Sequence, residues 1–289
     1  MAPLLWLGGI EAQAASGRLR FESGGQARTA FVIERERLKR QPRPTVIILQ
    51  STGGAVLRTR RNLGFEEAIR SQGVAVVYPD PVEGRWDLTG SRDVQALRDL
   101  VRKLVDQRIS DRRRVYLLGV SSGGMLAMRA GCENADGLTA IASVIATMPQ
   151  SLAAACKPSR PLPFILMAGT ADTLIPYGGG QANLRDFKEP VASAEATLAP
   201  FKAAAGCGDI MARTTLADRD PNDGSRVVID TFKDCKAPIE LVRVEGGGHS
   251  IPGRGRGTER DPTGPHNNDV EGARLVVDFF RRVGAGLQR

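Results

Sequence analysis

Gly119-Val120-Ser121-Ser122-Gly123 has the form G-x-S-x-G, directly after the apolar run Val115-Tyr-Leu-Leu118 and ahead of a helix-compatible run from Met125 to Ala130. In a strand–turn–helix setting this pattern lifts a serine clear of a sheet, on a turn too tight for side chains at the flanking glycines. The helix that follows presents backbone N–H groups to developing negative charge. Such pieces serve nucleophilic attack by a hydroxyl, and a hydroxyl at its free pKa needs a base. The chain holds two histidines, His249 and His266. His249 follows the apolar run 239–244 in Gly246-Gly247-Gly248-His249-Ser250, a loop bare enough to bring an imidazole to the strand ends. His266 lies in a polar Pro/Asn stretch, which suits a surface or capping role. We therefore expect His249 to be the base.

An imidazole doing this work is held in one tautomer by a carboxylate, which should follow a strand lying between the serine and the histidine in chain order. Asp172, in Gly169-Thr170-Ala171-Asp172, comes four residues after the run ending at Ala168. Asp186 and Glu189 lie in unpatterned sequence and Asp230 lies mid-strand, so Asp172 is the preferred acid. For oxyanion donors the spacing points to main-chain N–H groups of Ser51 or Thr52, in the loop Gln50-Ser51-Thr52-Gly53-Gly54, and of Ser122 on the other side. Asp218-Arg-Asp220-Pro-Asn222-Asp223-Gly224 is like the start of a calcium loop, but its glycine comes one place late and no Glu stands at the twelfth position. A β-turn at Pro221-Asn222-Asp223-Gly224 is the expected reading.

The elements that must position these groups alternate from residue 44 onward. Thr45–Leu49, Val74–Tyr78, Val115–Leu118, Ile141–Ile145, Phe164–Met167 and Ile239–Val244 are continuous apolar runs, as strands buried on both faces should be. Val94, Leu97, Leu100, Val101, Leu104 and Val105 recur at three- and four-residue spacing, which predicts a helix over 92–107. A second is expected over 271–284. Leu19–Phe21 and Thr29–Ile33 flank Gly24-Gly25 as an edge hairpin, and 178–190 is the least patterned stretch. The fold class is α/β, a mostly parallel sheet flanked by helices.

Composition supports this and trims the alternatives. The 289 residues, 42% hydrophobic and 25% charged, suit one large globular unit and exclude a disordered or fibrous chain. No apolar run approaches the roughly 18 residues that cross a bilayer. The net charge of +8 comes mostly from scattered Arg, with only Arg112 to Arg114 as a tight run, so nucleic acid is not expected as a partner. Met1–Ile10 is a short apolar stretch followed by Ala12-Gln13-Ala14, a small-x-small pattern, although Glu11 is out of place and no basic leader precedes it. Residues 1–16 are expected to be an export segment or a disordered start, and 17–289 a single α/β domain, secreted or periplasmic. Four cysteines, Cys132, Cys156, Cys207 and Cys235, are even in number and permit three pairings. None has C-x-x-C spacing and neither histidine is near them, so no metal is expected.

Arg114–Met125, Gly169–Tyr177, Leu216–Gly224 and Glu245–Gly253, in that order, resemble the secreted serine esterases that include polyhydroxybutyrate depolymerase-like and feruloyl-esterase-like proteins of α/β-hydrolase fold. The resemblance runs from about residue 44 to the end of the sequence. It implies Ser121 as nucleophile, Asp172 as acid and His249 as base, in agreement with the reading from chemistry. It also implies a Cys207–Cys235 disulfide, leaving Cys132 with Cys156, and places Trp86 and Tyr177 at positions that line an acyl or alcohol pocket. Two departures stand out. Gln50-Ser51 replaces the usual His-Gly pair, and Ile251 stands where an aromatic commonly follows the histidine. The expected function is hydrolysis of carboxylic esters, small or oligomeric, through an acyl-enzyme and without a cofactor. The competing reading is a catalytically weak or inactive polymer-binding protein of the same fold.

Overall fold

The computed structural model describes residues 14–35, 41–51, 63–69, 73–133, 137–185, 187–253 and 263–284. Its frame is a ten-stranded sheet in the order β1 (Ala14–Ser23), β2 (Gln26–Arg35), β4 (Ala75–Pro79), β3 (Arg43–Leu49), β5 (Ser110–Val120), β6 (Ala140–Val144), β7 (Phe164–Gly169), β12 (Ile239–Glu245), β11 (Arg226–Phe232), β10 (Met211–Thr215). The six strands from β4 to β12 pair parallel, and an antiparallel hairpin closes each edge. A parallel sheet must be covered on both faces, and the side chains divide accordingly. Ile47, Leu49, Val115 and Leu117 enter one core, while Val46, Ile48, Tyr116, Leu118 and Val120 enter the other. That two-residue alternation places one helix layer against each face.

The first core is covered by α2 (Arg92–Asp106), α3 (Ser122–Cys132), α4 (Gln150–Ala155) and α5 (Ala194–Ala205). α2 buries Val94, Leu97, Leu100, Val101 and Leu104 along the stripe its spacing predicts. α5 begins where Ser193 Oγ accepts the Ala196 N–H at 3.1 Å, and stops at Gly206, whose φ of 62° suits a left-handed C-terminal residue. The second core is covered by α1 (Phe65–Ile69) and α6 (Gly272–Val283), which buries Val276, Val277, Phe279 and Phe280. Each such side chain contributes about 2 kcal/mol.

The structure differs from the sequence reading at the margins. β1 starts at Ala14, ahead of the expected domain start at 17, because its pairing with β2 (Ala14 opposite Arg35) is backbone to backbone and needs no apolar signal. β10 was not anticipated: all five of its residues are exposed, so it carries no alternation to read. Gly180–Gln181 (β8) and Pro190–Val191 (β9) form a small ladder inside the stretch 178–190. The turn in 218–224 closes one residue early, with Asp223 N–H donating to Asp220 O at 3.0 Å. Bridges join Cys132 to Cys156 and Cys207 to Cys235.

Candidate active site

Ser121 directly follows β5, at the middle of the sheet, with φ 55° and ψ −123°. Its N–H donates to Val144 O at 2.9 Å, which pins the turn to the neighbouring strand. The flanking glycines have a visible cause. A Cβ on Gly119 would run into Gly123 O, and one on Gly123 into Leu49 O, so α3 can begin this close to the strand ends only without those side chains.

Asp172 lies in the loop after β7, nearly solvent-free, and its Oδ1 accepts the N–H groups of Leu174 and Ile175, both at 2.8 Å. The other oxygen, Oδ2, lies 2.8 Å from His249 Nδ1. A carboxylate only accepts, so Nδ1 carries the proton, and Nε2 is left as an acceptor. That Nε2 is 3.0 Å from Ser121 Oγ. The structure therefore brings Ser121, His249 and Asp172, 128 and 77 residues apart in sequence, into one hydrogen-bonded line.

Two loops must be held in register for this. Gly246 N–H donates to Thr170 Oγ1 at 2.9 Å and Ala171 N–H to Gly247 O at 2.9 Å, which zips the loop carrying the acid to the loop carrying the base. A Cβ on Gly169 would strike Gly247 O, and one on Gly248 would strike Thr263 O. Thr170 escaped sequence reasoning, because a hydroxyl two places before an aspartate looks like ordinary turn chemistry. Ser250 N–H closes a tight turn onto Gly248 O, and His249 N–H donates to Thr263 O.

The remaining expected residues fall as follows. Ser122 opens α3 and is buried beside Ser121. Ser51 is half-buried just beyond β3, its hydroxyl 3.5 Å from Val120 O. Thr52 and Asp186 lie outside the described residues. Trp86 is buried, and its indole N–H donates to Gln50 O at 2.7 Å. Tyr177 is half-buried and its hydroxyl donates to Glu195 at 2.6 Å; burial and the Glu195 carboxylate push the phenol well above its ordinary value. Glu189 accepts from Ser151 N–H, and Asp230 holds Arg213 and Arg243. His266 is half-buried in the segment ahead of α6. A cavity of about 680 Å³ between α1 and α6, lined by Glu67, Leu216, Arg219, Arg274 and Asp278 among others, includes none of Ser121, His249 or Asp172.

The family model described as "Alpha/beta hydrolase family" matches residues 69–260, more than half of the chain. The chain belongs to the alpha/beta hydrolase family. This hydrolase is 28% identical over 255 residues to NocK of Nocardia uniformis subsp. tsuyamanensis, a protein that bears an esterase name, covering 82% of this chain and 74% of that one. It is 25% identical to feruloyl esterase B of Piromyces equi over 64% of its own length, but spans only 35% of that protein. Among solved structures, Thermogutta terrifontis esterase 2 superposes with a TM-score of 0.59 at 14% identity, over 93% of this hydrolase and 94% of that chain, which shows the shared fold. These names support the feruloyl-esterase-like side of the resemblance and leave its polyhydroxybutyrate depolymerase side unconfirmed. Among the described residues no helix is long and apolar enough to cross a membrane.

Proposed function

We propose that this hydrolase cleaves carboxylic esters through a covalent acyl-enzyme on Ser121. One observation carries the reading: the line Ser121 Oγ, His249 Nε2, His249 Nδ1, Asp172 Oδ2, with contacts of 3.0 and 2.8 Å. His249 Nε2 takes the hydroxyl proton as Ser121 Oγ attacks the ester carbonyl, and backbone N–H groups at Ser122 and in the loop after β3 donate hydrogen bonds to the oxyanion that forms on the carbonyl oxygen. Collapse of the tetrahedral adduct breaks the C–O bond to the alcohol, which leaves with the proton from His249. Water then attacks the acyl-enzyme with the same imidazole as base, releasing the acid and restoring Ser121. Asp172 stays ionised throughout, stabilising the imidazolium and fixing its tautomer.

The esterase names of NocK and feruloyl esterase B favour ester over amide bonds, and the latter favours aryl-acid esters among the substrates to try first. Two disulfides fit a protein that works in an oxidising compartment, in line with export. The test is covalent labelling by a fluorophosphonate, mapped by peptide sequencing, alongside hydrolysis of p-nitrophenyl and methyl ferulate esters. Labelling at Ser121 with turnover is the expected result. An intact protein that neither labels nor turns over would instead mark it as a non-catalytic binding protein of this fold.

A further inference from the structure

The loop between β4 and α2 gives no group to the Ser121–His249–Asp172 line, yet it is tied down at several points. Arg85 N–H donates to Val82 O at 2.9 Å, Asp87 N–H to Asp93 Oδ2 at 2.7 Å, and Arg129 Nε, from α3, the helix that follows Ser121, to Leu88 O at 2.9 Å. Asp93 is itself fixed by Arg28 from β2, at 2.6 Å, in a pair whose side chains are 5% and 1% exposed. Between these ties Trp86 turns inward and its Nε1–H meets Gln50 O at 2.7 Å.

Gln50 is the first residue beyond β3 and is buried. Its carbonyl oxygen is wedged between the indole and the first turn of α3, where a Cβ on Gly123 would come within 2.8 Å of it. A trans peptide is planar, with its C=O and the next N–H pointing in opposite directions, and no described peptide bond is cis. Fixing Gln50 C=O therefore fixes the direction of Ser51 N–H. We propose that Trp86 is a positioning residue which, by holding the Gln50 carbonyl, sets the plane of the Gln50–Ser51 peptide and so aims the Ser51 N–H at the oxyanion. The inference rests on the esterase reading and deepens it. It gives Trp86 a part different from lining the acyl pocket. Burial of the ring alone would be met equally by a phenylalanine; the indole nitrogen adds only the bond to Gln50 O.

Trp86→Phe is accordingly the discriminating variant, since it keeps an aromatic ring in place and removes the donor. On p-nitrophenyl acetate its kcat should fall roughly tenfold, less than the loss of a whole oxyanion donor costs, with KM within about twofold. Affinity for a boronic acid that forms a tetrahedral adduct should fall by the same factor as kcat, because both report the oxyanion site. A KM that rises with acyl-chain length at unchanged kcat would show Trp86 lining the pocket and overturn the proposal, as would no change in either constant. If Trp86→Phe is insoluble, Arg129→Met removes the tether at Leu88 and should lower kcat roughly threefold at unchanged KM; an unaltered kcat there counts against the proposal. Fluorophosphonate labelling of the wild type separates the two readings. A wild type that does not label sinks both, whereas a labelled wild type with an undiminished Trp86→Phe sinks only the role of Trp86.

Discussion

Ser121 carries a Cβ at φ 55°, a conformation that costs an L-residue about 1–3 kcal/mol and persists only where its surroundings over-determine it. Here the N–H bond to Val144 O and the two bare glycines do so. The hydroxyl is at the strand end and supports no packing, so Ser121→Ala should fold as the wild type while kcat drops on the order of 10⁶-fold. Retention of more than a few per cent of turnover, at unchanged circular dichroism, would remove Ser121 from the mechanism. His249 is the ring that spans Ser121 and Asp172. His249→Ala should cost nearly as much as losing the serine, and His266→Ala should stay within about twofold of wild type. With two histidines in the chain, parallel kinetics on these two variants decide the assignment of the base.

Elements meet at the site through backbone contacts that leave no room for side chains. Gly123→Ala would set a methyl against Leu49 O, forcing α3 away from the end of β3. Its expected outcome is loss of esterase activity together with a lowered thermal midpoint, which distinguishes it from Ser121→Ala. The base loop is also fastened from behind. Buried Asp269, just ahead of α6, accepts the N–H groups of Arg219 and Asp220 at 2.6 and 3.1 Å and the Asn267 amide at 2.8 Å, and so clasps 218–225 to 267–269. Gly246 packs directly on Gly224 in the clasped loop. Burial works to raise the Asp269 pKa, but the Asp220 amide, the Asn267 side chain and the Arg219 amide outweigh it and hold the carboxyl below its ordinary value. A depressed folded-state pKa contributes stability that is present above the unfolded value, about 4, and is lost as pH falls through the folded value. Asp269→Asn puts an NH₂ among donors. At neutral pH it should cost about 2 kcal/mol, or roughly 5 °C in Tm. Below about pH 4 the wild-type Tm should fall more steeply than that of the variant. Melting curves of both proteins across pH 3–7 check this, and parallel slopes in acid would overturn it.

At the scale of the whole molecule, both disulfides lie on the side of the sheet covered by α2 to α5. Cys132–Cys156 joins the end of α3 to the end of α4, and Cys207–Cys235 joins the end of α5 to the approach to β12. Each closes a loop of similar length, with sequence separations of 24 and 28, so the chain-entropy account gives about 3.5 kcal/mol for each. The second bridge braces the strand that delivers His249. The double variant Cys207→Ser with Cys235→Ser should therefore lose about 3.5 kcal/mol in a urea titration. Its kcat per folded molecule should stay near wild type, because the Thr170–Gly246 contact still registers the loop. An unfolding midpoint that does not move on reduction would show that the bridge constrains nothing the fold does not already fix.

Much of this arrangement follows from local sequence. The parallel core strands are apolar runs, α2 and α6 are periodic stripes, and Ser121, Asp172 and His249 each stand in a turn whose glycines announce a close approach. These signals are legible because burial on both sheet faces and tight turns restrict which residue types can stand there. What stayed hidden depends on partners distant in the chain. β10 is exposed and polar, and is a strand only because β11 offers its edge. The acceptor of the Trp86 indole N–H, Gln50 O, lies 36 residues away in sequence. Thr170 and Asp269 look like turn residues until Gly246 and Arg219 arrive to use their oxygens. A sequence fixes what a side chain can donate, accept or bury, whereas the choice among partners is made by the packing of the whole sheet, which no local pattern encodes.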